Sequence, residues 1–265
     1  MTLHQWIFGG INNPPVAGQW GALHIITLVI CTALMIGFPL LVKRVKNGER
    51  AKRIIVLTLA MLILFFEIAI RIVYTVKLFH LHAPEMEGLN MLWIILPKPW
   101  CAISCWLLVA SVFVRRSFFY DFASLSAMIC SVIYFCYPGT GFNNQYILFE
   151  NLYSIVTHAL LLTTSVTLIT LGFAGFRARD ILKTVAGIAL TVVYALGEIY
   201  LLEPAFPDPM YFMPGGDIQQ DILGVSYGLY LFLYILLIAA FILTPYCIAS
   251  RHQLKERIGR IVKKK

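Results

Sequence analysis

Apolar and polar positions separate into long blocks along this chain. Seven apolar runs stand out: Ala22–Val42, Ile54–Val76, Pro97–Val114, Phe118–Tyr137, Phe149–Phe173, Ile181–Leu202 and Val225–Ala249. A helix needs about 20 apolar residues to cross a hydrocarbon core of about 30 Å. Transmembrane strands would alternate in segments of about ten residues, and no such pattern is present. A helix also satisfies its own backbone hydrogen bonds in lipid. The predicted fold is therefore all-α, a polytopic transmembrane bundle of about seven spans forming one domain over residues 1–265. The third run is the shortest. Its start turns on whether Met91–Leu96 lies on the membrane surface or inside it.

Composition agrees with the pattern. The chain is 60% hydrophobic and 13% charged, with a mean hydropathy of +0.81, whereas soluble domains are about a quarter charged. The opening MTLHQWIFGGINNPPVAGQWG lacks the basic start and continuous apolar stretch of a signal peptide. The six cysteines fall mainly inside apolar runs, with no CxxC pair, and read first as small buried hydrophobes.

Charge sets the expected orientation. The net charge of +8 is concentrated in four segments between or after spans: KRVKNGERAKR, Arg115 with Arg116, Arg177 to Lys183, and the tail RHQLKERIGRIVKKK. Arg71, Lys77 and Lys98 are the exceptions. Acids gather on the opposite side, at Glu85, Glu87, Glu150, Glu203, Asp208, Asp217 and Asp221. By the positive-inside rule the basic segments are cytoplasmic. The N-terminus is then outside and the C-terminus inside, in a multi-pass protein of the cell membrane. The uneven charge argues against nucleic acid as a partner. Membrane lipids are the expected partner, and the basic tail, residues 250–265, is suited either to anionic lipid or to plain topological anchoring. No internal repeat points to an inverted-repeat transporter.

Ionisable groups inside spans are expensive and usually face the bundle interior. Glu67 and Arg71, four apart in FFEIAIRIV, share a helix face. They read either as a self-neutralising pair or as part of a site. His158, in IVTHALLL, is a lone imidazole on an apolar helix. Glu198 lies near enough to a span end to reach water. Tyr74, Tyr153, Tyr194 and Tyr200 fit an aromatic belt. At 1.5 Å per residue, Glu67, Arg71, His158, Glu198, Cys101 and Cys105 all fall in the outer half of the bilayer, so the uncommon polar groups share one layer.

The third run opens with LPKPWCAISC. Pro97 and Pro99 suit a helix entry, Lys98 can snorkel, and Trp100 suits the interface. Cys101 and Cys105 are not explained in this way. They are one turn apart on one helix face, and a thiol becomes a nucleophile when a base or positive field favours its thiolate. His158 is the available base, with Lys98 or Arg71 supplying positive potential. Depth alone matches Cys105 to His158 better than Cys101. No cofactor or metal is indicated, since His80 and His82 in FHLHAP have no evident co-ligands.

These features resemble the YwaF-like family of bacterial integral membrane proteins, whose relatives include human transmembrane protein 164. That family has a leucine–proline step shortly before a cysteine that opens a span, matched here by Leu96, Pro97 and Cys101. A histidine-bearing span follows, matched by FENLYSIVTHALLL. An aromatic and proline loop before the last span is echoed by MYFMPGGD. This chain has Pro99 where the family tends to have a histidine. The human relative is understood as a phospholipid acyltransferase using a cysteine and a histidine. The resemblance thus implies that Cys101 carries an acyl chain and that His158 activates it.

The leading expectation is a lipid acyltransferase working in the outer half of the bilayer, with Cys101 and His158 catalytic. Glu67, Arg71, Lys98, Glu198 and Cys105 are expected to line its polar cavity. The alternatives are a non-enzymatic binding or transport protein for an amphiphile or small solute, and a structural membrane subunit.

Overall fold

The computed structural model describes residues 2–8, 21–44, 48–83, 87–89, 91–136, 147–202, 210–216 and 218–262. Among these, every regular element is helical. A short α1 (Leu3–Phe8) precedes α2 (Ala22–Arg44), α3 (Glu49–Phe79), α4 (Met91–Ile95) and α5 (Trp100–Val114). Then come α6 (Ser117–Cys136), α7 (Phe149–Thr170), α8 (Ile181–Leu202) and α9 (Tyr227–Val262). Six of these are long and apolar enough to cross a membrane, and α5 is a shorter apolar helix of 15 residues. The chain is a multi-pass, helical membrane protein. Of the expected acidic segments, Glu85, Glu203, Asp208 and Asp217 lie outside the described residues.

The helices divide into an inner and an outer set. In α6, 72% of the most apolar window is buried inside the protein, against 17% in α2 and 11% in α9. Exposed leucines, isoleucines and phenylalanines cover the outer helices, as a lipid-facing surface requires. The core lies between α3, α5, α6 and α7.

Short connections fix the inner set. Arg115, in the left-handed region at φ 54°, closes α5 by donating its amide to Ser111, and Arg116 leads straight into α6. At the end of α7, Gly172 takes φ +80°, where a Cβ would be strained. The Phe173 amide then reaches back to the Leu168 carbonyl at 2.9 Å, closing the helix as a glycine cap does. At Gly187 on α8, an added Cβ would stand 2.8 Å from the Phe122 ring of α6. The missing side chain is what lets these two helices approach.

Asp121 is fully buried at the start of α6. Its Oδ1 accepts the amides of Gly175 at 2.8 Å and Phe176 at 3.1 Å, so one carboxylate ties the α7–α8 connection to α6. Orphaning two buried amides costs about 1–3 kcal/mol each. Asp121→Ala should therefore lower stability by at least about 2 kcal/mol in detergent unfolding titrations, and Asp121→Asn, which keeps an acceptor, by less than half of that. Equal losses in the two variants would contradict this role.

Two further departures from expectation concern helix ends. The last helix runs unbroken to Val262, well past the apolar run that ends at Ala249. The third run, expected from Pro97, starts as a helix at Trp100: α4 stops at Ile95, Leu96 to Pro99 are non-helical, and α5 follows. Pro97 and Pro99 have no amide hydrogen to continue the ladder, which separates the two helices there.

Candidate functional site

The end of α4 leaves backbone carbonyls without intrahelical partners. Arg71 supplies the missing donors. Its Nη1 donates to the Ile94 carbonyl and, at 3.1 Å, to that of Ile95, while Nη2 reaches Glu67 Oε2 at 3.4 Å. The second acceptor on Glu67 is used as well, because the Tyr153 hydroxyl of α7 donates to Oε1. The Cys105 thiol lies against the same carboxylate. A connected set thus runs from α7 through Glu67 and Arg71 of α3 to the α4 carbonyls and the linker that presents Cys101. A second polar tie, the Lys77–Glu150 ion pair, joins α3 to α7 nearer the end of the bundle.

Behind the break lies a cavity of about 270 Å³. Its wall includes Glu67, Arg71, Lys98, Cys101 and His158, so five of the seven predicted site residues face one space. Cys105 is fully buried beside it and does not line it. Glu198 also stands off the wall. It had been expected to reach water, yet it is 1% exposed. Its electrostatic neighbours are Lys98 and Tyr194.

The histidine is held in a defined tautomer. His158 Nδ1 is 2.7 Å from the Ser154 carbonyl one turn earlier. A carbonyl only accepts, so Nδ1 carries the proton and Nε2 keeps its lone pair. The ring stacks on Tyr134 of α6 at 3.6 Å with an interplanar angle of 8°, and Phe135 meets it edge-on. These contacts fix the plane of the imidazole. No hydrogen bond joins it to Cys101. The groups nearest the Cys101 thiol electrostatically are Cys130, Glu67 and Cys105, and Cys130 itself lines the cavity from α6.

Several aromatic residues stand elsewhere than the sequence suggested. Trp100 is buried in the core, not at the interface, because its indole N–H finds Ser126 Oγ on α6 at 2.8 Å. Ser104 shares that hydroxyl, also at 2.8 Å. The half-buried Lys98 sets its ammonium 4.1 Å from the centre of the Trp93 ring, on the cavity wall. Tyr74 and Tyr153, read as belt residues, line the cavity, whereas Tyr200 is 83% exposed.

A strap between α8 and α9 completes the wall. Tyr211 lines the cavity with its backbone at φ 59°, a conformation that a bulky residue rarely adopts. Three α9 hydroxyls hold this segment. Tyr234 donates to the Met210 carbonyl at 2.8 Å, Tyr227 to that of Phe212 at 3.2 Å, and Tyr230 to that of Tyr211. Sequence reasoning singled out the MYFMPGG stretch but not the tyrosines that pin it. Their spacing over Tyr227, Tyr230 and Tyr234, one helix face, was the available signal. For Lys77–Glu150 the signal was a lysine stranded on the acidic side of the chain.

No protein-family model, curated protein or solved structure matches the chain.

Proposed function

We propose that this membrane protein is a lipid acyltransferase whose reaction takes place in the cavity behind the α4–α5 connection. The observation that carries the reading is the sharing of one cavity wall by Cys101 and a histidine whose Nδ1 faces the Ser154 carbonyl, which leaves Nε2 as the basic nitrogen. The likeness to the YwaF-like family adds support. In the first step the Cys101 sulfur attacks the ester carbonyl of a donor lipid, and the thiol proton passes by way of His158 Nε2 to the departing alcohol. A thioester forms as the ester bond breaks. In the second step an acceptor hydroxyl gives its proton to His158 and attacks the thioester, restoring the thiol. The absence of a Cys101–His158 hydrogen bond is compatible with this, since catalytic contacts often tighten only once substrate is bound. Purified protein in lipid nanodiscs should move a labelled acyl chain from a phospholipid to a lysophospholipid. No transfer to any lysolipid of several headgroup classes would remove the proposal.

The non-helical Leu96–Pro99 stretch between α4 and α5 also favours a second reading, a binding or transport protein. Discontinuous helices commonly surround substrate sites in transporters. Net uptake of an amphiphile by proteoliposomes, with no covalent lipid product, would select it.

If the basic connections are cytoplasmic, as the positive-inside rule expects, the cavity belongs to the outer half of the bilayer. Cysteines introduced at Asn47 and Gly215 should then react with an impermeant maleimide from opposite sides of sealed cells. Labelling of both from one side would overturn the orientation.

A further inference from the structure

Apart from one lysine, the charges on the cavity wall are matched. Glu67 is paired with Arg71, and Glu150 with Lys77. Among the described residues, Lys98 stands on the wall with its ammonium over the Trp93 ring and no hydrogen bond or ion pair. Glu198 contributes a background charge from behind Lys98 but lies off the wall and makes no bond to it. Arg71 offers a second clue. Both of its terminal nitrogens are engaged, yet its buried Nε–H has no acceptor. Its guanidinium stands 5.7 Å from the Trp106 ring centre. Lys98 and Arg71 are near enough to repel each other.

Two cations share the cavity wall, each near an indole ring, and one of them has a buried donor without an acceptor. Like charges disfavour each other's ionised forms, and a buried unpaired donor costs about 1–3 kcal/mol. A group with negative oxygens between them removes both penalties. It would accept from Arg71 Nε and Lys98 Nζ in charge-assisted hydrogen bonds, which are about twice as strong as neutral ones.

We infer that the cavity binds the oxyanion of an amphiphile, a carboxylate or phosphate held between Lys98 and Arg71, with its apolar chain directed along α4 into the bilayer. The volume suits this. About 270 Å³ falls just below the usual range of roughly 300–1,000 Å³ for whole drug-sized ligands, so the polar end of a lipid fits inside while the acyl chains lie outside. Met91, Leu92 and Ile95 are exposed apolar side chains of α4, whose Trp93 and Ile94 line the cavity, and they offer the chain a path. The inference deepens the lipid-handling reading and rests on it for the identity of the substrate cavity. It concerns binding alone and is measured without turnover.

The test uses the full-length protein in neutral detergent and follows tryptophan fluorescence, since Trp93 and Trp106 stand against the two cations. Palmitate and palmitoyl lysophosphatidate are the anionic probes. Monopalmitoyl glycerol is the neutral control, and inorganic phosphate the free anion. At least one anionic amphiphile should bind about tenfold or more tightly than the neutral one, a difference of about 1.4 kcal/mol. Preference for the phosphate ester identifies a headgroup, and preference for palmitate identifies a free acyl chain; either supports the site. Lys98→Met should erase the preference and Lys98→Arg should keep it. Equal binding of the neutral probe, an anion preference that survives Lys98→Met, or displacement of the probes by equimolar inorganic phosphate would overturn the inference. Protein that passes this test but transfers no acyl chain keeps the oxyanion site and loses the acyltransferase reading.

Discussion

Cys101→Ser should lower acyl transfer by on the order of 10³-fold or more while leaving folded protein in the membrane. A serine hydroxyl keeps the shape of the side chain but is a far weaker nucleophile than a thiol, which ionises more readily. His158→Ala should cost about 10²–10⁴-fold, the range for loss of a general base. Its partner Tyr134 would also lose a stacked ring, so His158→Gln serves as the milder structural control. Cys105→Ser should stay near wild-type activity, because Cys105 is fully buried and lies against Glu67, off the cavity wall. Cys130→Ser is the informative comparison, since Cys130 does line the cavity. Loss of transfer in Cys130→Ser with retention in Cys101→Ser would move the nucleophile from α5 to α6.

Arg71→Met should be the most destabilising of the site substitutions. Removing one member of a buried ion pair strands the other, at a cost of about 3–5 kcal/mol, and Glu67 is 1% exposed. The carbonyls of Ile94 and Ile95 also lose their donor. The expected result is a drop of at least about 3 kcal/mol in unfolding titrations, together with disorder of the Leu96–Pro99 linker that precedes Cys101. Adding Glu67→Gln to Arg71→Met should restore part of the loss, because the stranded charge is gone, but not all of it, because the carbonyls remain unpaired. A double variant as stable as wild type would mean that Arg71 does not hold the break. A single variant within about 1 kcal/mol of wild type would mean that the pair has little structural weight, as exposed pairs do.

The spans were legible because hydropathy reports passage through lipid directly, and α8 spans the same residues as its apolar run. Helix ends were legible only where the helix and the membrane end together. In α9 they do not: polar residues of good helix propensity, such as Gln253, Lys255 and Arg257, carry the helix to Val262 beyond the apolar run. Polar residues in oil were equally legible, and Glu67, Arg71, Cys101 and His158 do face one cavity. The apolar contributors were not. A helix that is apolar all round has no sided pattern to reveal its rotation, so nothing in Phe118–Tyr137 singled out Cys130 and Tyr134 as the residues facing the cavity and the imidazole. Trp100 was misplaced for a related reason, and the partner of Lys98 was not legible. The interface is the default home for an amphipathic side chain, and only the fold brings Trp93 beneath the ammonium and Ser126 to the indole.

The most direct measurement is identification of the covalent intermediate. Purified protein is incubated with a phospholipid carrying an isotopically labelled acyl chain and no acceptor, quenched in acid, and analysed as intact protein and as peptides by mass spectrometry. The reading predicts one acyl mass per chain, located on the peptide containing Trp100 and Cys101 and released by neutral hydroxylamine as a thioester must be. It also predicts that the adduct disappears in Cys101→Ser and accumulates only slowly in His158→Ala. An unmodified protein after many minutes with substrate, or a stable adduct on any residue other than Cys101, would contradict it.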